Sequence, residues 1–254
     1  MVYRVLLDFF AAVILLTRIP VPWSKLSDAP PNLSLSQWAF PVVGIFLGII
    51  VSLIIVFFTY IGLSSISAAC IGLASIALIT GVLHEDGLAD FADGFGGGKT
   101  VENKIKIMKD STVGAYGASA LILSYFLRIS LLASFTSSFA VIITCIFVFS
   151  SGRTSMILAR KLASPISESN SASLLRPAST PIIILSIAIC SVFFLYYGIV
   201  FFLLGISLIY LVPKLITKLA QQKIGGINGD VLGTCCQTTE TSLLILAVIW
   251  FQNA

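Results

Sequence analysis

Phe40-Pro41-Val42-Val43-Gly44-Ile45-Phe46-Leu47-Gly48-Ile49-Ile50-Val51-Ser52-Leu53-Ile54-Ile55-Val56-Phe57-Phe58-Thr59-Tyr60-Ile61-Gly62-Leu63 contains no charged side chain. A membrane-crossing helix needs about 20 predominantly apolar residues, so this stretch is long enough to span a bilayer. Ile66 to Leu83 and Ala115 to Phe135 are too, the second despite Arg128. Phe139 to Ser151 is shorter but continues with Met156-Ile157-Leu158 beyond Arg153. Ile182 to Val212 is too long for one span and predicts two short helices turning at Tyr196-Tyr197-Gly198. Leu243 to Phe251 belongs to a last helix expected to start near Thr238. Val5 to Leu16 carries Asp8, so it either lies in the interface or crosses as part of a longer tilted helix.

Composition agrees. Of 254 residues, 57% are hydrophobic and 10% are charged, and the mean hydropathy is +1.05. A soluble domain carries about 25% charged residues, so lipid must cover most of this chain. The expected architecture is all-α, a polytopic membrane bundle of six to eight helices forming a single domain over residues 1–254. The net charge of +4 is modest for so apolar a chain and predicts no nucleic-acid partner. Cys70, Cys145 and Cys190 sit in apolar runs and read as small hydrophobes; Cys235-Cys236 lacks metal-ligand spacing. The N-terminus does not resemble a cleaved signal, because Asp8 interrupts its apolar stretch and Thr17-Arg18-Ile19-Pro20 replaces a small-residue cleavage site.

Four polar connections separate the apolar segments: Arg18 to Ala39, His84 to Gly114, Gly152 to Thr180 and Pro213 to Thr239. Helix pairs lie between them, so all four are expected on one side. All the Lys and Arg except Arg4 and Arg128, and all the acids except Asp8, are then assigned to that side. The positive-inside rule makes it cytoplasmic, with the chain multi-pass in the cell's inner membrane.

The chemistry gathers in His84-Glu85-Asp86-Gly87-Leu88-Ala89-Asp90-Phe91-Ala92-Asp93-Gly94, which holds the only histidine. On a helix Asp86, Asp90 and Asp93 fall at i, i+4 and i+7, on one narrow face. Like charges so arranged repel and call for a cation. Mg²⁺ commonly joins one or two carboxylates to substrate phosphates. The ordinary alternative is a solvated helix end whose acids pair with Lys99, Lys104 and Lys106. Glu85 is a further candidate ligand. His84 is either a general base or a helix-end residue bonded to backbone.

Gly96-Gly97-Gly98 would let backbone amides approach an anion. Lys104, Lys109, Asp110 and Ser111 follow, and lysines beside an acidic metal site suit a phosphate-bearing substrate. Asp110 or Ser111 is expected to cap the helix beginning near Ala115. Arg153 either grips a phosphate or snorkels. Gly226 and Asn228 belong to a second glycine-rich turn, where Asp230 is a metal ligand or a helix cap.

Gly81-Val82-Leu83-His84-Glu85-Asp86-Gly87-Leu88-Ala89-Asp90, Ala92-Asp93-Gly94, Ile107-Met108-Lys109-Asp110-Ser111 and Gly114-Ala115-Tyr116-Gly117 together resemble the signature of the cobalamin synthase family, the adenosylcobinamide-GDP ribazoletransferases. Supporting pieces run from Thr17-Arg18-Ile19-Pro20-Val21-Pro22 through Phe40-Pro41-Val42-Val43-Gly44 to Gly225-Gly226-Ile227-Asn228-Gly229-Asp230-Val231-Leu232-Gly233. The family usually has Thr at the position of Asn228 and Ala at that of Thr234. The resemblance implies a Mg²⁺-dependent membrane enzyme joining adenosylcobinamide-GDP to α-ribazole or its 5′-phosphate and releasing GMP. It admits self-association, or a complex with other cobalamin-assembly enzymes. Two rival readings are a CDP-alcohol phosphotransferase, whose Ala-Arg element between the acids is missing here, and an ion-coupled transporter. A transporter would place charges near the bilayer midplane, where the sequence puts only Arg128.

Overall fold

The computed structural model describes residues 2–166 and 175–253. Among them are ten α-helices: α1 (Val2–Leu16), α2 (Phe40–Tyr60), α3 (Ser65–Thr80), α4 (Leu83–Gly97), α5 (Val101–Met108), α6 (Ala115–Ala133), α7 (Ser138–Leu162), α8 (Thr180–Ser191), α9 (Ile199–Ile224) and α10 (Gly229–Asn253). Among the described residues six helical segments are long and apolar enough to cross a membrane; α3 and α4 pass the same test only if counted together as one span, and α4 bends away from α3 by 91°. The all-α membrane bundle expected from the sequence is what forms.

The bundle is built around α7, 89% of whose apolar window is buried. α2 lies against it at backbone distance. A Cβ on Gly44 would stand 2.4 Å from the Phe149 carbonyl oxygen, and one on Gly48 would stand 2.5 Å from that of Cys145. Glycines four residues apart are what let two helices pack this closely in lipid. Ser150 Oγ donates to the Pro41 carbonyl across the seam at 3.0 Å. Phe147, Phe194, Tyr197 and Phe201 close the other side of α7 with mostly edge-to-face ring contacts.

The polar connections do meet at one end. Gln37 Nε2 donates to the Arg176 carbonyl at 2.8 Å, and the Arg176 amide to Ser34 Oγ at 3.0 Å. Ile166 and Ile227 join the third and fourth connections through two 3.0 Å backbone hydrogen bonds. The Arg18 amide reaches the Ile79 carbonyl at 2.7 Å. This end is called the loop face below.

Several expectations need correction. The turn at Gly198 is present, with φ +93°, but the helix after it is long: α9 runs through Pro213 to Ile224. Thr217 Oγ1 donates back to the Pro213 carbonyl one turn earlier at 2.7 Å. α10 starts at Gly229, not near Thr238, so the fourth connection shrinks to residues 225–228. Its first turns look polar in sequence because Thr234, Gln237 and Thr239 point into the bundle, where they are buried.

The charge assignment changes too. α1 is not among the crossing helices. Its Tyr3 hydroxyl donates to the Leu26 carbonyl, and its Asp8 accepts from the Trp38 indole at 3.3 Å. Both contacts are with the first polar connection, so α1 and its charges Arg4 and Asp8 lie with the loop face. Arg153 and Glu240, which the sequence reading put at that face, are instead buried within α7 and α10. Glu168 lies outside the described residues.

Candidate active site

The break between α3 and α4 sets the site. Gly81 (φ +65°) and Val82 (φ +54°) are both left-handed. For the β-branched Val82 that is a strained conformation. At Gly81 the Arg18 side chain fills the space where a Cβ would stand, with Nε 2.4 Å away. α4 leaves this bend and lies along the first turns of α10. A Cβ on Gly87 would stand 3.0 Å from Asp230 Cα, and one on Gly233 would stand 3.1 Å from the His84 carbonyl oxygen. Thr234 Oγ1 donates to the Gly87 carbonyl at 3.2 Å.

This packing brings Asp230 of α10 within electrostatic reach of Asp86 and Asp90 of α4. Asp86 is exposed, and Asp90 and Asp230 are half-buried. Among the described residues the only ion pairs are those of Glu240. The lysine-paired alternative for the acidic stripe is therefore not what forms.

Asp93 has a different partner. Its carboxylate accepts from the Gly114 amide at 2.7 Å and the Gly117 amide at 2.8 Å, and so caps α6. Cβ atoms on those glycines would stand 2.5 and 2.3 Å from its oxygens, which accounts for the Gly114-Ala115-Tyr116-Gly117 pattern. Contrary to expectation, neither Asp110 nor Ser111 caps α6. Asp110 closes its own turn, accepting from the Thr112 hydroxyl at 2.7 Å and amide at 2.9 Å. Those two bonds, hydroxyl first, hold its carboxyl below the usual range. Lys109 and Ser111 are exposed beside it.

The glycine run is helical through Gly97, so its amides are largely used within α4 and form no open anion cradle. Gly96 gives room to the Tyr116 ring, and Gly98 to Lys104. Lys104 is buried, and its Nζ donates to the Gly98 carbonyl rather than to an open site. Gly97 has only the Ile107 side chain near a notional Cβ, at an ordinary 3.7 Å. Gly97→Ala is thus expected to keep turnover within about twofold. Replacing a helical glycine by alanine should stabilise by about 0.5–1 kcal/mol. Thermal unfolding and a rate assay check both, and a hundredfold loss of rate would reinstate the cradle.

In the second turn, Asn228 rather than Asp230 caps α10: its Oδ1 accepts from the Val231 amide at 3.1 Å, and its Nδ2 donates to Asp230 Oδ2 at 2.6 Å. Gly226 lets the turn close on Ser164, whose carbonyl oxygen would be 2.8 Å from a Cβ there. Arg153 does not open toward phosphate. It is fully buried, with its Nη1 on Glu240.

His84 and Asp86 share a cavity of about 140 Å³ with Leu16, Met156 and Asp230. His84 is 1% exposed, and neither ring nitrogen has a partner among the described residues. It is therefore not a helix-end residue satisfied by backbone. Glu85 is 5% exposed and turns into the bundle, with its Oε2 unpartnered there.

Among the described residues no three His, Cys, Asp or Glu side chains converge into a ready-made metal cage. The donors that do approach one another, Asp86, Asp90 and Asp230, are all hard carboxylate oxygens. An open set of this kind fits Mg²⁺, which keeps several waters and completes its shell with phosphate oxygens. Glu240 belongs to no motif visible in the sequence, yet it is buried inside the bundle with two arginine partners.

The model of the cobalamin-5-phosphate synthase family matches residues 8–248. An adenosylcobinamide-GDP ribazoletransferase of Bradyrhizobium diazoefficiens is 37% identical over 245 residues, 96% of this chain and 94% of that one. One from Sinorhizobium medicae is 34% identical over 246 residues, covering 93% and 94%. One from Vibrio cholerae is 32% identical over 250 residues, covering 96% and 94%. No solved structure matches. With the match running almost end to end and including both the α4 stripe and the α10 turn, the chain belongs to the cobalamin-5-phosphate synthase family.

Proposed function

We propose that this chain transfers the adenosylcobinamide-phosphate group of adenosylcobinamide-GDP to α-ribazole or its 5′-phosphate, with release of GMP. The observation that carries the reading is the close packing of Gly87, between Asp86 and Asp90 on α4, against the Asp230 backbone of α10, beside a cavity at the loop face, in a chain matched along its length by ribazoletransferases. Asp86, Asp90 and Asp230 would hold Mg²⁺, which supplies charge neutralisation for the diphosphate. Asp93 and Glu85 drop out of the ligand set, because one caps α6 and the other faces the bundle.

Phosphoryl-type transfers depend on positioning and charge more than on covalent chemistry. The 3′-hydroxyl oxygen of the ribazole attacks the phosphorus on the cobinamide side, the bond from that phosphorus to the GMP oxygen breaks, and GMP leaves. The hydroxyl proton passes to His84, whose ring nitrogens are unsatisfied at the cavity wall, or to one of the neighbouring aspartates. Exposed Lys109 at the loop face is placed to meet phosphate. The lysine-rich loop face is turned to the cytoplasm, following the positive-inside rule.

The test is GMP release by the purified chain in detergent. Release should require adenosylcobinamide-GDP, the ribazole and Mg²⁺ together. EDTA should abolish it, and added Mg²⁺ should restore it. Release from a CDP-alcohol instead, or full activity in EDTA, would overturn the assignment.

A further inference from the structure

The most unusual feature of the bundle lies beneath this site. Arg128 of α6, Arg153 of α7 and Glu240 of α10 are each at most 1% exposed. Arg128 Nη2 donates to Glu240 Oε2 at 2.7 Å, and Arg153 Nη1 donates to Glu240 Oε1. Arg128 Nη1 also donates to Gln237 Oε1. Both guanidinium groups stand over the Phe149 ring, 5.7 and 5.4 Å from its centre. Gly152 makes room for the carboxylate: a Cβ there would be 2.6 Å from Glu240 Oε1. Charges inside a membrane bundle are costly and tend to be functional, and a buried ion pair is poor evidence of stability for its own sake.

The connectivity suggests what this one does. The carboxylates at the site come from two helices, α4 and α10. α4 is tied to α6 by Asp93, which caps it. α10 is tied to α6 and α7 by Glu240. The spacing of Asp86 and Asp90 from Asp230, set directly by the close α4–α10 packing at Gly87 and Gly233, is thus also braced through α6, by Asp93 on one side and Glu240 on the other. Glu85, one residue before Asp86, faces the same interior within electrostatic reach of Arg153 and Glu240.

We propose that Glu240 is a positioning residue: by clamping α10 to α6 and α7 through Arg128 and Arg153, it sets Asp230 against the α4 aspartates and so tunes the affinity of the site for a divalent cation. The inference rests on the metal reading above. Its test therefore includes a measurement that needs no turnover.

Mn²⁺ binding to the purified full chain, followed by electron paramagnetic resonance, gives the cation affinity. Mg²⁺ titration of GMP release gives the half-saturating concentration and the rate. Glu240→Gln is expected to weaken Mn²⁺ binding and raise half-saturating Mg²⁺ by about tenfold, the range typical of outer-shell support of a metal site. The KM for ribazole should stay within about twofold. Arg128→Lys keeps the buried charge but loses the fork that reaches Glu240 and Gln237 together. It should shift both cation readouts the same way by about threefold, and it serves as the variant of record if Glu240→Gln does not fold.

A lowered unfolding temperature with unchanged Mn²⁺ affinity in either folded variant would overturn the proposal and leave a purely structural ion pair. If the wild-type chain binds Mn²⁺ but releases no GMP, the functional reading fails while the Mn²⁺ comparison still decides this one.

Discussion

Asp90→Asn is expected to lower turnover by at least about a hundredfold, with no loss of membrane insertion or helical content. Loss of a partner behind a metal ligand already costs about 10–100-fold, and Asp90 is proposed to touch the cation itself, so the direct loss should be at least as large. Asparagine keeps the shape and volume of the side chain, so packing against α6 and α10 is not disturbed. It removes one negative charge from a cluster in which Asp90 stands near Asp86 and Asp93 of α4 and Asp230 of α10. Without a cation those charges repel, so the variant should unfold at a temperature equal to or slightly above wild type. That pairing of unchanged stability with lost turnover separates a ligand from a structural acid. Excess Mg²⁺ should recover little of the rate. Near-normal rates at saturating Mg²⁺ would remove Asp90 from the site.

The sequence revealed the parts of this fold that depend on period and run length. α2, α3, α6 and α7 appear where apolar stretches predict them, α6 and α7 in spite of Arg128 and Arg153. The i, i+4 stripe of Asp86 and Asp90 is on one helix, as the spacing requires. The failures share a physical cause. α9 runs on through Pro213, and α10 begins in Gly229-Asp230 because its first polar side chains are buried and find partners on other helices, Thr234 on α4 and Gln237 on α6. A window of hydropathy sees only the composition. Arg153 and Glu240 were assigned to the loop face because a charge next to an apolar run reads as the end of that run. Nothing local announces that two such charges will meet each other in the interior, and Arg128 with them.

Glycines mislead for the same reason. Gly96 and Gly97 read in sequence as an anion-binding loop, yet they complete α4, and the space at Gly96 belongs to Tyr116. The informative glycines were those that carry no recognisable motif alone. Gly114 and Gly117 admit Asp93, Gly152 admits Glu240, and Gly87 admits the backbone of α10. Each sits where a carboxylate or another helix must approach within a distance that no side chain permits. Deep charges such as Glu240 also weaken one argument made against a transporter, that only Arg128 lies in the bundle. The family match and the carboxylates at the loop face, rather than any lack of buried charge, are what favour an enzyme.

Gly87→Val carries the second large effect. Gly87 lies between Asp86 and the rest of the stripe, and a Cβ there would stand 3.0 Å from Asp230 Cα and 3.1 Å from its carbonyl oxygen. Both obstacles are backbone, so no side-chain rotation relieves them. A branched residue must push α4 away from α10, and the two helices are the sources of the carboxylates. A displacement of about 1 Å at a reacting centre can cost about a hundredfold in rate, and overpacking a well-filled seam costs about 1–3 kcal/mol. The expected result is a chain that still inserts and folds, melts lower, binds Mn²⁺ more weakly and loses at least about a hundredfold in GMP release. Unlike Asp90→Asn, it should lose stability as well as activity, because it acts through the distance between helices and not through a charge. Half or more of the wild-type rate in this variant would mean that the close seam between α4 and α10 has no part in assembling the site.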